Sequence, residues 1–177
     1  SDKWYWEVTC VSGSDFIHGV AKVSDFSTGY IGQTSTSYGY FATTGTKYVN
    51  GSPAAYGATY GLGDIIGVAL DLDVGTLTFY KNGVSQGTAF TGLTGVFYPG
   101  LSRGGLGTTA TMVVNFGQSP WSYAAPSGFK ALCDTNLPTP VVLKPDALMD
   151  VVPYTGNGTS QTISGLAFSP DLVWIKS

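Results

Sequence analysis

Large apolar residues alternate with small or polar ones over Lys3 to Val11 (KWYWEVTCV), a period of two that predicts a β-strand. His18 to Val23 (HGVAKV) repeats the pattern in a shorter run. Ile65 to Asp73 and Thr76 to Tyr80 are the two strongest strands, joined by a tight turn at Asp73-Val74-Gly75. Asn82-Gly83, flanked by β-formers, is a type I′ hairpin signal that leads into Val84 to Ala89. Residues 65–89 therefore read as a three-stranded meander. Val96 to Ser102 and Thr111 to Phe116 add two more strands. Between Asp25 and Gly63 the chain is dense in Gly, Ser, Thr and Tyr, and predicts irregular structure with short strands at Ser37 to Ala42 and Gly57 to Tyr60. No 3.6-residue period is sustained anywhere, so helix should be confined to one turn near Ser127 to Cys133.

Composition agrees with an all-β chain. It has 25 Gly, 11 Tyr, 9 Phe and 4 Trp, is 43% hydrophobic and only 11% charged, and this is unlike a disordered sequence. The length of 177 residues suits one domain, or one domain and part of another. With 8 Lys plus Arg, a net charge of −3 and no basic cluster, a nucleic-acid surface is not expected. No apolar run reaches roughly 18 residues, so no membrane insertion through a helix is expected. Leu137-Pro-Thr-Pro140 and Lys144-Pro145 mark an exit from the main domain. We expect a domain over 1–137, a linker over 138–148 and a β-rich tail over 149–177. The tail carries strand-like pieces at Gln161 to Ile163 and Leu172 to Ile175, with Asn157-Gly158 in the turn before them. It is too short for a core of its own and reads as the start of a second β domain. Strand-like sequence runs right to both termini, so we expect the chain to be a piece of a longer one.

KWYWEVT, then GVA at Gly19 to Ala21, SYGYF at Ser37 to Phe41, GDIIGVALDLDVGTLTFYKNG, FYPGLS and VNFGQSPW at Val114 to Trp121 resemble the SPRY domain in order and spacing, from near residue 1 to about 137. The resemblance implies a two-sheet antiparallel β-sandwich of concanavalin-like shape. It also implies a non-enzymatic binding module whose end loops recognise a peptide or another surface. The later part, PSGFKALCDTNLPTP and YTGNGTSQTISGLAFSPDLVWIKS, is similar to bacteriophage virion proteins, notably tail fibre chains. That second resemblance implies a virion protein whose partners are a host-surface glycan or protein, or other virion subunits, with a homotrimer as the assembly expected of a fibre. A spacer domain of tail or capsid without a ligand, a cellular SPRY adaptor that binds peptides, and a carbohydrate-active enzyme stand beside it as alternatives.

The candidate chemistry is sparse. Asp71 and Asp73 share one strand face, with Cα atoms roughly 6.5–7 Å apart. That is near the carboxyl separation of about 5–5.5 Å that a retaining glycosidase needs. Glucanases of concanavalin-like shape use the longer glutamate at such positions, and the one Glu here, Glu7, is far away in sequence. The favoured reading is structural, ahead of a cation site and of catalysis: Asp73 closes the Asp-x-Gly turn on backbone amides, and Asp71 faces solvent or a polar neighbour. Cys10 and Cys133 read as two free buried thiols rather than a disulfide framework. His18, the only His, has no visible metal or nucleophile partner. Arg103-Gly-Gly-Leu-Gly107 lacks the Lys-Ser/Thr ending and the following helix of a phosphate loop. Asn50-Gly-Ser52 and Asn157-Gly-Thr159 fit a glycosylation pattern but read as turns. No metal or cofactor is called for.

Recognition is the chemistry this composition favours. Tyr offers rigid contact area, and Ser and Asn offer adaptable hydrogen bonds. Tyr38 and Tyr40 fall in the SYGYF pattern and should pack inside. Tyr30, Tyr48 and Tyr56 are expected at the surface. With Asn50 and Arg103, the only arginine, they form the expected ligand-binding set.

Overall fold

The computed structural model describes residues 2–25, 29–104, 109–136 and 148–175, and the chain divides into two units, 1–136 and 137–177. The first unit is a sandwich of two sheets. One contains β1 (Lys3–Ser12), β6 (Ile65–Asp71), β7 (Thr76–Lys81), β8 (Val84–Thr91) and β10 (Thr111–Asn115), in the order β10-β1-β6-β7-β8. The two-residue β11 (Lys130–Ala131) joins the start of β1 in parallel. The other contains β2 (Phe16–Ala21), β3 (Ser37–Phe41), β4 (Thr46–Val49), β5 (Ser52–Ala55) and β9 (Tyr98–Arg103), in the order β5-β4-β3-β2-β9. Apart from β11 every pairing is antiparallel. Helix is limited to 3₁₀ turns at Val23–Asp25 and Asp134–Asn136, so among the described residues no helix could cross a membrane.

The core follows from the period-two pattern. Trp6, Val8 and Cys10 of β1, Ile66, Val68 and Leu70 of β6, and Leu77 and Phe79 of β7 face inward. They meet Phe16 and Val20 of β2 and Tyr40 of β3. Each large side chain so buried contributes about 1.5–3 kcal/mol. His18 is the polar member of this interior. Its ring stacks on Tyr60 at 5.3 Å, Nε2 lies 3.5 Å from Cys10 Sγ, and Nδ1 has no hydrogen-bond partner.

The outer face of the first sheet is also covered. Glu7 Oε2 accepts the Ser122 N–H at 2.8 Å and Oε1 the Tyr123 N–H at 2.9 Å. The Trp121 ring meets Tyr5 edge-on, with centroids 5.0 Å apart. The single glutamate thus ties the 121–123 segment onto the sheet.

The meander stands where the sequence placed it, and Asp71 meets a polar neighbour on the adjacent strand as expected, but it also takes the turn-closing role expected of Asp73. Asp71, buried at the end of β6, closes the turn: Oδ1 accepts the N–H groups of Asp73 (3.0 Å) and Val74 (3.3 Å), and Oδ2 pairs with Lys3 Nζ at 2.7 Å. Asp73 is the exposed one, and it accepts the Asp2 N–H at 2.9 Å. The carboxylate two residues before the turn's middle reaches its amides, whereas the one inside the turn points away. Gly57 to Tyr60 is not a strand. The hairpin partner of β4 is β5, because Asn50-Gly51 makes the tight turn, with Asn50 at φ 54°. The helical turn expected at Ser127 to Cys133 gives way to β11, which finds a free stretch of β1 to pair with. Both cysteines are free, Cys10 buried and Cys133 only half-buried.

In the second unit, residues 148–175 hold no helix or strand. The strand pieces expected at Gln161 to Ile163 and Leu172 to Ile175 do not form. Apolar β-formers need a hydrogen-bonding neighbour to become a strand, and Trp174 remains 93% exposed. The proline-marked exit and the linker expected over 138–148 lie outside the described residues except for Leu148, as does the glycine-rich run after Gly104.

Two predictions follow from these polar groups. Asp71→Ala strands two turn amides and an ammonium and should cost about 2 kcal/mol or more, while Asp73→Ala should cost less than about 1; denaturant titration of both variants measures the contrast. Burial lowers the His18 pKa from 6.5 to about 3. The imidazole is neutral in the fold and protonates below 6.5 when unfolded. Stability is therefore fully present above 6.5 and falls by roughly 1.4 kcal/mol per pH unit beneath it. Thermal melts between pH 6.5 and 5, before most carboxylates titrate, should show this loss in the wild type and not in His18→Leu.

Candidate functional site

Strand β2 directs Phe16, His18 and Val20 inward, so Ile17, Gly19 and Ala21 form its outer face. The register sets Gly19 beside Gly39 of β3 on one side and Gly100 of β9 on the other. This row of three glycines is a trough across the middle of the sheet. Ile31, 4% exposed, lies in it. A Cβ at Gly39 would stand 2.4 Å from the Ile31 carbonyl oxygen, and one at Gly100 2.5 Å from Ile31 Cδ1. Gly39 and Gly100 must be glycine for the 29–34 segment to lie down, while a Cβ at Gly19 would run into the Tyr38 carbonyl of the neighbouring strand.

Hydrogen bonds fasten that segment as a strap. The Ile31 N–H donates to Ser102 Oγ at 2.8 Å, and the Gly32 N–H donates to Ser37 Oγ. The Asn50 N–H donates to the Thr34 carbonyl at 2.8 Å and the Gly51 N–H to that of Gly32 at 2.9 Å. At the end of the strap, Tyr30 meets Tyr48 of β4 edge-on with centroids 6.0 Å apart, and Tyr48 meets Phe41 of β3 in the same way. Ile17, Tyr30, Phe41, Tyr48 and Gly104 enclose a hollow of about 120 Å³. Among the described residues its walls carry no charge, and their side-chain polar atoms are the two phenol oxygens.

The sequence-selected residues divide over this geometry. Tyr30 and Tyr48 come together on the rim. Asn50 turns the β4–β5 hairpin, and its backbone fastens the strap, so it supports the site rather than lining it. Arg103 precedes Gly104 at the end of β9 and donates from Nε toward the Ser14 carbonyl at 3.4 Å. Tyr56 belongs elsewhere. Its hydroxyl donates to the Gly87 carbonyl at 2.6 Å and accepts the Phe79 N–H at 3.1 Å, and its ring packs on Tyr40. Burial pushes that hydroxyl up to about 12. It was expected at the surface because its Gly/Ala/Thr-rich neighbours look like loop; the loop, however, folds it inward against β7. Ile17, Phe41 and Gly104 went unrecognised. Strand alternation gives their faces, but only the register brings them together.

Other chemistry is closed off. The Cys10–His18 contact has the elements of a thiol–imidazole pair, yet both groups are buried. Burial pushes the Cys10 thiol up to about 12 and the His18 pKa down to about 3, so neither ionises readily and no substrate reaches them. Asp71 spends its oxygens on Lys3 and two amides, which removes the aspartate pair from catalysis. Among the described residues no three His, Cys, Asp or Glu gather as metal ligands. A wider, open depression of about 380 Å³ lies by Gly117, Pro120, Trp121 and Ala131. Gln118 beside it has both amide atoms engaged, accepting the Phe116 N–H and donating to the Val114 carbonyl.

The strap predicts its own weak point. In Gly39→Ala, exchange protection of the Ile31 and Gly32 amides should be lost, while the β6–β7 amides keep theirs. Hydrogen exchange read by NMR checks this; unchanged protection at Ile31 would contradict the trough.

Comparison with known proteins gives a match to the family model described as the SPRY domain over residues 3–119. Relatives include the E3 ubiquitin-protein ligase RKP of Arabidopsis thaliana, 38% identical over 82 residues, which are 44% of this chain and 6% of the ligase. Ran-binding protein 9 of Xenopus tropicalis is 41% identical over 75 residues, 42% of this chain and 13% of that protein. The dual specificity protein kinase splA of Dictyostelium discoideum is 42% identical over 59 residues, 33% of this chain and 2% of the kinase. The chain thus spans 13% or less of the length of these relatives.

Proposed function

The chain belongs to the SPRY domain family, and from that premise we propose that it is a non-catalytic protein-interaction module that holds a partner polypeptide at the Tyr30–Tyr48 hollow. The observation that carries the reading is the hollow itself: a preformed, uncharged recess with two aromatic rims, set on a sheet whose backbone is fixed by the strap. Such a recess suits one apolar side chain of a partner, and the tyrosines supply contact area at low entropic cost. The relatives support it from another direction. Their names describe a ubiquitin ligase, a Ran-binding protein and a kinase, and similarity to part of each of three proteins with such different names fits a binding module better than any one of those reactions.

Of the settings opened by the sequence, these relatives favour the cellular adaptor. The virion setting, with a host glycan or another virion subunit as partner, is carried by the resemblance of the 126–177 region and by nothing in the sandwich. The two settings differ in what the hollow should hold. Labelled protein applied in parallel to an array of random dodecapeptides and to a glycan array should bind a subset of the peptides. The Tyr30→Ala/Tyr48→Ala double variant should lose that signal at unchanged circular dichroism. Glycan binding alone would favour the virion setting; peptide binding that survives the double variant would move the site elsewhere.

A further inference from the structure

We infer that β10 is a strand-pairing edge for a second copy of this chain, and that the Gln118 side chain is the guard that holds it closed. The inference is independent of the hollow, which lies on the other sheet. A sandwich leaves four edge strands, each with a row of N–H and C=O groups that another chain can use. Three are blunted here. β5 carries Pro53 and β9 carries Pro99, residues that cannot donate to a ladder. β8 is bulged: its register slips on both sides of Thr78, and Gly87 stands at φ 82°. β10 (TMVVN) has no proline and no charge, and Thr111, Val113 and Val114 are β-branched. The ladder shows which of its groups face outward. Cys10 turns its N–H to the Asp64 carbonyl at 3.1 Å, on the β6 side of β1. Alternate residues bond to opposite sides, so Glu7 and Thr9 are the ones that bond β10, through Asn115 and Val113. Met112, Val114 and Phe116 therefore aim their N–H and C=O groups away from β1.

Gln118 folds back on this row. Its Oε1 accepts the Phe116 N–H at 2.6 Å and its Nε2 donates to the Val114 carbonyl at 2.7 Å. A primary amide placed there makes the pair of bonds that a neighbouring strand would make. The sequence builds the fold-back. Asn115 Oδ1 accepts the Gly117 N–H at 2.9 Å, and Nδ2 donates to the Ser119 and Pro120 carbonyls at 3.1 and 3.2 Å. Gly117 takes φ 107°, which other residues rarely adopt.

The occupant follows from the symmetry and charge of the row. The outward groups at 112, 114 and 116 are evenly spaced. An antiparallel copy paired Val114 to Val114 sets Met112 opposite the partner's Phe116 and satisfies all three positions on both chains. Thr111 to Gln118 is uncharged, so two copies meet there without repulsion. The side chains of Met112, Val114 and Phe116 are half-buried against the core, and a second copy covers them further. A five-residue strand pairing is a small contact beside the roughly 1,200 Å² of a stable interface, so it is weak and one side chain can block it.

Sedimentation velocity and amide hydrogen exchange on the full chain test this, with wild type, Gln118→Ala and the double variant Gln118→Ala/Met112→Pro. Wild type should hold one mass across the micromolar to millimolar range, with the Phe116 amide protected and the Met112 amide exchanging freely. Gln118→Ala should double that mass as its concentration rises through the range, and the Met112 and Phe116 amides should gain protection in step. Met112→Pro removes an outward N–H without touching the β1 ladder, so the double variant should return to the wild-type mass. A Gln118→Ala protein that keeps its β6–β7 amides protected yet does not double in mass would overturn the inference. Association that leaves Met112 and Phe116 unprotected would overturn it too. So would fast exchange of the Phe116 amide in wild type, a measurement that needs no variant to fold. Peptide binding at the hollow is untouched by any of these results.

Discussion

Strand β2 has no face left for water. All six of its residues are buried, three against the other sheet and three beneath the 29–34 strap. The inner three are ordinary sandwich core. The outer three require a cover, and only glycine at 39 and 100 lets the strap come close enough to provide one. From this constraint the site follows. The strap ends at Tyr30, Tyr30 leans on Tyr48, and Ile17, packed against Ile31 of the strap, forms the floor of a recess.

The polar groups obey the same economy. In a chain with one Glu and one His, the buried polar side chains among the described residues have architectural tasks. Glu7 ties a segment to the first sheet, Asp71 closes a turn, and His18 fills a place between two aromatic rings. The aromatic rims and hydroxyls of the second sheet are groups suited to recognition, which agrees with the family to which the chain belongs.

Much of the sandwich was legible beforehand because its signals are local. The Val68/Leu70 and Leu77/Phe79 alternation and the Asn82-Gly83 turn each act within a few residues, and the meander formed on them. That Asp71 rather than Asp73 closes the turn shows the limit. Both fit the spacing, and only the three-dimensional turn decides which carboxylate reaches the amides. Tyr48 and Tyr56 make the same point for the site. Their neighbourhoods in sequence look alike, yet one rims the hollow and the other hydrogen-bonds across to β7 and β8. Leu172 to Ile175 fails in the opposite sense: it has the residues of a strand and, among the described residues, forms none.

The central claim, that the outer face of the second sheet meets the partner through the hollow, can be read from one methyl group. Ile17 Cδ1 sits on the hollow floor and can be labelled with ¹³C in an otherwise deuterated protein. On titration with an array-selected peptide, its resonance should shift in proportion to saturation, together with the Gly104 amide, while resonances around Gly117 and Ala131 stay in place. A peptide that saturates the protein while leaving Ile17 unmoved, or that moves the Gly117–Trp121 depression instead, would contradict the account.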